Sequence, residues 1–259
     1  MINKFNEMIN KFNEMIYSDI TYKPEDINDI LEEIKPLIQY SCINTKHKYI
    51  DLPCAFDIET SSFFHSSGKL VKGKEEKEKV AVMYEWTFGI LGYIIIGRTW
   101  KEFKEMILNI YLQLALFNDY RLVIYVHNLG YEFQFMRKHF EWESIFANKN
   151  RQPIYALTTN NIEFRCSYLL SGYRLEIIGE QLDKYKIKKL VGNLDYDKIR
   201  SPETPLTDKE LSYCINDVKV VMCYIVEKLL EYKTISNIPL TKTGFVRRYV
   251  RNKCFYEDG

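Results

Sequence analysis

None of the six cysteines stands in a CxxC pair, and their spacings give no support to a zinc site. Cys54, Cys166 and Cys214 sit in apolar segments, and scattered thiols of this kind suit a reducing compartment. A long hydrophobic run is also missing. The longest apolar stretch, around Ile90 to Ile96, falls far short of the ~20 residues that cross a bilayer. The Asn-, Lys- and Glu-rich start lacks the apolar centre of a signal peptide. Excess charge is absent too: the formal net charge is +1, so no global basic field announces a nucleic acid, and any such site has to be local. The expectation is a cytoplasmic protein without membrane contact.

What is there is a globular composition: 259 residues, 46% hydrophobic and 27% charged, long enough to fold without disulfides or structural metal. Aromatics reach 15%, with 20 tyrosines and 15 phenylalanines, which suits either a Tyr-rich core and rim or a set of stacking surfaces. "MINKFNE" runs over 1–7 and again over 8–14, and Met15-Ile16 begins a third copy. Ile2, Phe5, Ile9, Phe12 and Ile16 then fall on one helical stripe, although two heptads are too few to specify a coiled coil. A second helical segment is expected over Pro24 to Tyr40.

From Leu52 the texture turns to strands. "AFDIET" is followed by "HSSGKLVKGKEEKEK", read as an exposed loop or hairpin tip, and by "VAVMYEWTFGILGYIIIG", read as two strands hinged near Gly89. Trp100 to Phe117 has helical periodicity, "RLVIYVHN" reads as a buried strand, and "LGYEFQFMRKHF" as a helix. "PIYALTT", "NIEFRCSYLL" and "YRLEIIG" are strand-like. A long helix follows Pro205, with Thr207 and Glu210 spaced as a capping box. This order predicts an α/β fold, a mixed sheet with helices packed on it.

The acids carry the chemistry. On a strand, Asp57 and Glu59 share one face while Phe56 and Ile58 take the other. Two like charges held that close call for a cation between them; a solvated edge strand with two ordinary surface acids has the same signature. Glu132 falls just after a strand, near a helix start. Tyr213 and Asp217, four apart, share a helical face about 6 Å from each other, and the apolar neighbours of Asp217 place it on a buried face. Four such carboxylates match the oxygen chemistry of two Mg²⁺ or Mn²⁺ ions, which can clamp both oxygens of a phosphodiester displacement.

In order and with their neighbours, these motifs resemble the 3′–5′ exonuclease domain of family B DNA polymerases, most closely the protein-primed polymerases of phages. "FDIET" is similar to the first exonuclease motif, "YVHNLGYEFQF" to the second and "YCINDV" to the third; the likeness spans roughly Asp51 to Arg251. It implies a ribonuclease H-like fold. It implies metal ligation by Asp57, Glu59, Glu132 and Asp217, with Tyr213 orienting water and a catalytic lysine, placed first at Lys189. It also implies single-strand contacts by Thr60, His127, Asn128, Leu129, Tyr131, Ser167 and Leu169, and by Tyr196 in "GNLDY". The expected partner is a single-stranded DNA 3′ end, with a separate polymerase subunit or terminal protein as further candidates, in the host cytoplasm if the gene is a phage's. Glu132 departs from the usual aspartate, and no SLYP or YxDTDS polymerase motif occurs. The organisation expected is an N-terminal helical extension over 1–50, the exonuclease domain over 51–235, and a basic tail or link to a polymerase over 236–259. "TKTGFVRRYVRNK" within that tail could add phosphate contacts. A catalytically silent strand-binding or docking module is the alternative.

Overall fold

The computed structural model describes residues 2–43, 47–71, 74–190 and 198–254. In chain order the elements are α1 (Ile2–Met15), β1 (Thr21–Tyr22), α2 (Ile27–Ile34), β2 (Tyr40–Ile43) and β3 (His47–Ile50). There follow β4 (Cys54–Val71), β5 (Lys74–Ile90), β6 (Tyr93–Gly97), α3 (Trp100–Gln113), β7 (Tyr120–Val126) and α4 (Leu129–Met136). The last are β8 (Trp142–Lys149), β9 (Gln152–Thr158), β10 (Ile162–Cys166), α5 (Ser167–Ser171), α6 (Leu175–Glu180), α7 (Asp208–Tyr232) and α8 (Lys242–Asn252).

The strands form one ten-stranded sheet in the order β1-β6-β5-β4-β7-β10-β9-β8, with β3 also on β7 and β2 on β3. It is mixed. β4, β5 and β6 run antiparallel, whereas β7 lies parallel to β3, β4 and β10. β3 takes the start of one edge of β7 (Ile50↔Leu122) and β4 takes its end (Phe56↔Val126), so the chain around Pro53 carries one edge from the first partner to the next.

The two faces divide the helices. Phe56 stacks on Phe103 of α3 at 4.4 Å between ring centroids, and Trp86 meets the same ring at 5.0 Å. On the opposite face α7 comes so close to β5 that a side chain at Gly89 would meet Met222 at 2.6 Å and Val218 at 2.8 Å. Thr207 caps α7 by accepting from the Glu210 backbone N–H, and the Glu210 carboxylate accepts from the Thr207 N–H in return, as its spacing predicts. The N-terminal segment packs into the same core, where Met8, Phe12, Ile16, Ile27 and Leu31 are fully buried.

Of the two readings of "HSSGKLVKGKEEKEK", loop or hairpin, its described part takes the hairpin: β4 and β5 continue through it as a long antiparallel ribbon. Two strand-like stretches differ. "NIEFRCSYLL" stops as a strand at Cys166 and turns into α5. "YRLEIIG" is α6, because Leu175, Ile178 and Gly179 are its buried positions, a helical spacing that seven residues of mixed pattern do not reveal. β2, β3 and β8 are strands that the pattern does not announce. Among the described residues, no helix is long and apolar enough to cross a membrane.

Candidate active site

β4 supplies the first two acids. Its alternation buries Phe56 and Ile58 toward α3 and turns Asp57 and Glu59 toward α7. Pairing with β5 sets Asp57 opposite Thr87 and Glu59 opposite Glu85, and the register then slips so that Thr60 faces Met83. A bulge there twists the strand just past the acids, the kind of irregularity that re-aims a side chain beside a site.

β7 ends at Val126, and Asn128 adopts a left-handed conformation (φ 69°) that turns the chain directly into α4. Glu132 lies in the first turn of that helix, 5% exposed, and its Oε2 has no hydrogen-bond partner. Asp217 comes from the middle of α7, 6% exposed. One of its oxygens lies 3.1 Å from the Lys189 ammonium; the other, Oδ1, has no partner.

Lys189 is held in place by its neighbours in sequence and in space. The Asn216 side chain accepts from the Leu190 N–H at 2.7 Å and donates to the Lys188 carbonyl at 3.1 Å, fastening this stretch to α7. On the other side Gly179 of α6 admits the same stretch, since a Cβ there would meet the Lys189 backbone nitrogen at 3.0 Å. The ammonium then sits 5.4 Å from the centre of the Tyr213 ring, one turn before Asp217.

The carboxylates burden one another. Asp57 is pushed well above the usual carboxylate range, first by loss of water and then by Glu132, Glu59, Asp217 and Glu85. Burial and Asp217 raise Glu59 to about 7 against the pull of Lys189 and Arg200. Glu132 is pushed up to about 8 by burial and by Glu59. Burial also raises Asp217, opposed by Lys189. Glu85, which sequence reasoning passed over, joins the group: it is 1% exposed, accepts from the Thr87 hydroxyl at 2.6 Å, leaves Oε2 unpartnered, and is raised to about 8 by burial.

Carboxylate oxygens are the donors that a hard divalent ion takes, and buried carboxylate oxygens without partners are what such an ion would satisfy. In that sense Glu132 and Asp217 fit Mg²⁺ or Mn²⁺, and the half-buried carboxylates of Asp57 and Glu59 add donors of the same chemistry. The set is not closed up for one, however. Among the described residues no group of three or more His, Cys, Asp or Glu side chains has metal-holding geometry, and Asp217 is engaged by Lys189.

The residues expected to hold a strand divide. A cleft of about 560 Å³ is lined by Asp57, His127, Asn128, Tyr168, Lys189 and Asp217, among others. Thr60 and Tyr131 meet hydroxyl to hydroxyl at 2.5 Å. Burial, with Lys189 nearby, lowers His127 to about 4, and its Nδ1 is 3.1 Å from the Ser167 hydroxyl. Ser167 is fully buried, so it can reach a strand only by orienting His127. Leu129 is fully buried in the core and offers no side-chain surface to a strand, contrary to the sequence expectation. Leu169 lines a neighbouring cleft instead, since the chain has become helical by Ser167. Tyr196 lies outside the described residues. Asn216 and Glu85 went unnoticed because both act across the fold; the only local sign was a polar residue beside Asp217 and an acid two residues before Thr87.

No protein-family profile matches the chain, and no curated protein does. Solved structures do. Phi29 DNA polymerase complexed with single-stranded DNA aligns at a TM-score of 0.57 and 14% identity over 80% of this chain and 35% of that one. The same polymerase with primer-template DNA and incoming nucleotides aligns at 0.54 and 13%, again over 80% and 35%. This chain therefore spans about a third of the polymerase that it resembles, and what the likeness shows is the fold: a ribonuclease H-like mixed sheet flanked by helices.

Proposed function

We propose that the chain is a divalent-metal-dependent 3′–5′ exonuclease that trims single-stranded DNA ends, the editing part of a phage-type family B polymerase. The observation that carries this reading is the meeting of half-buried carboxylates from β4 with buried ones from α4 and α7 beside one lysine, with unpartnered oxygens on Glu132 and Asp217. A binding surface gains nothing from crowding four buried and half-buried acids together, because each raises the cost of ionising the next.

Asp57, Glu59, Glu132 and Asp217 would hold the ions, which supply charge neutralisation around the attacked phosphorus. Lys189, on release from Asp217, opposes the negative charge that grows on the phosphoryl oxygens. The Tyr213 hydroxyl, one turn from Asp217, orients the attacking water. Asn128 and the Thr60–Tyr131 pair hold sugar and phosphate, and the Tyr131 ring, 44% exposed, offers a face to a base. The product is a nucleoside monophosphate.

The alternative, a silent strand-binding module, draws support from the lack, among the described residues, of a ready three-ligand group. A 5′-labelled single strand with Mn²⁺ separates them. Stepwise shortening from the 3′ end, slowed by a terminal phosphorothioate and abolished by Asp57→Ala with the fold intact, supports the nuclease. No shortening by the wild-type protein at any Mn²⁺ or Mg²⁺ concentration leaves the binding module. Matched DNA and RNA strands then rank the substrates.

A further inference from the structure

Five arginines and a single carboxylate wall a cleft of about 690 Å³ on the segment that follows α7. Arg121 and Arg165 come from β7 and β10, and Arg247, Arg248 and Arg251 from α8. The one acid, Glu163, is already committed: Arg165 donates to it at 2.6 Å and Arg121 lies at 3.4 Å. Arg248 is tied back to Asn237. Arg247 and Arg251 are exposed, and neither side chain has a hydrogen bond or ion pair to any described residue. Like charges four apart on a helix repel. In a chain of net charge +1 this concentration of positive charge is a local field with the sign that attracts a polyanion.

The cleft is not isolated. A second cleft, about 670 Å³, shares Pro239, Leu240, Gly244 and Arg247 with it and shares Gln152 with the cleft of the acids. Lys149 and Lys242 line this middle stretch together with Phe146, which is 49% exposed. Phe146 stands 5.6 Å from the ring of Tyr155 in the arginine cleft. Cations interleaved with aromatic faces along one continuous furrow are what a single strand recognises, its phosphates taking the charges and its bases the rings. An acidic peptide would use the charges and leave the rings without a role.

We propose that the arginine cleft binds the phosphodiester backbone of a single-stranded nucleic acid several nucleotides upstream of the 3′ end that enters the acidic cleft. That the bound end is the 3′ end rests on the nuclease reading; the binding itself does not. The cleft adds affinity for longer strands without touching the reacting phosphate.

The test is anisotropy of labelled oligothymidylates of 4 and 12 nucleotides in EDTA at several salt concentrations, with wild-type protein and an Arg247→Ala/Arg251→Ala variant. The 12-mer should bind wild type at least ~10-fold more tightly than the 4-mer, and the variant should erase that advantage while leaving the 4-mer unchanged. Losing two phosphate contacts should lower the slope of log affinity against log salt by about 1.4, from ~0.7 per contact on a single strand. Arg247→Lys/Arg251→Lys should keep most of the affinity, and equal melting temperatures exclude misfolding as the cause. A 12-mer affinity indifferent to the arginines overturns the proposal. So does a polyglutamate peptide that displaces the 12-mer as well as unlabelled DNA does, which would assign the cleft to an acidic protein. If the arginine-dependent binding appears but no strand is shortened with Mn²⁺, the nuclease reading fails and the cleft stands. If the 4-mer is hydrolysed and the arginines do not matter, the cleft alone fails.

Discussion

Replacing Glu132 by glutamine in the metal-free protein should produce a stability gap that depends on pH. Glu132 is almost fully buried and close to Glu59, and its titration point lies near 8 instead of 4.5. The folded state therefore favours the protonated acid. The stability that this group contributes is complete below the unfolded value and is lost as pH rises toward 8. Glutamine keeps the shape and cannot ionise, so its own offset is constant with pH. Between the two titration points the gap should widen by ~1.4 kcal/mol per pH unit, or roughly 4 kcal/mol from pH 5 to pH 8 as an upper figure. Water entry and the coupling to Glu59 reduce that to roughly 2–3 kcal/mol, or about 4–12 °C in melting temperature for a chain of this size. Thermal melts in EDTA at four pH values read it directly. Glu132→Gln should melt above wild type at pH 8 and draw level or fall below at pH 5. Mn²⁺ should then raise wild type more than the variant. A gap that stays flat from pH 5 to pH 8 would refute the idea that Glu132 is held, short of water, against another acid.

Two further outcomes follow from single contacts. Asn216→Ala frees the Lys188–Leu190 stretch from α7 and, on the proposed nuclease reading, should lower turnover on the order of 10- to 100-fold, the scale of a misplaced catalytic group, with KM and melting temperature little changed; an unaltered turnover would count against the proposed role of Lys189 or its fastening by Asn216. Asp51 accepts from the Ser41 hydroxyl and the Ile235 N–H, both at 2.7 Å, and burial raises it to about 6. Asp51→Asn keeps that acceptor, so in melts its stability relative to wild type should improve from pH 4 to pH 7 and level off above; a constant difference would contradict the raised titration point.

What could be read from the sequence was local. The two-residue period of "FDIET" fixes which face carries the acids, and the Thr207–Glu210 spacing fixes where α7 begins; these depend on neighbours along the chain. The helix of "LGYEFQF" was legible because its buried positions, Leu129, Glu132, Phe133 and Met136, repeat with a turn. Glu85 was invisible because its significance is a cross-strand pairing with Glu59, set by how β4 and β5 register. Asn216 looked like any polar residue in a helix until the stretch around Lys189 was laid beside it. The sequence leaves loop and hairpin open for the outer β4–β5 ribbon because its charged residues carry the composition of a loop, while the pairing of the two backbones decides its form.

The duplicated start of the chain has a consequence for insertion and deletion. α1 buries the second copy of "MINKFNE": Met8, Ile9 and Phe12 are in the core, while Phe5 of the first copy is only partly covered. Its outward anchors are likewise second-copy residues, since Lys11 pairs with Glu33 and Asn13 accepts from the Tyr185 hydroxyl. Seven residues are close to two helical turns, so the first copy carries the same residues at the same angular positions one repeat earlier. Loss of either copy leaves an identical sequence to occupy the core. The segment is a spare, and the reading frame can gain or shed one repeat here without any buried side chain changing its identity.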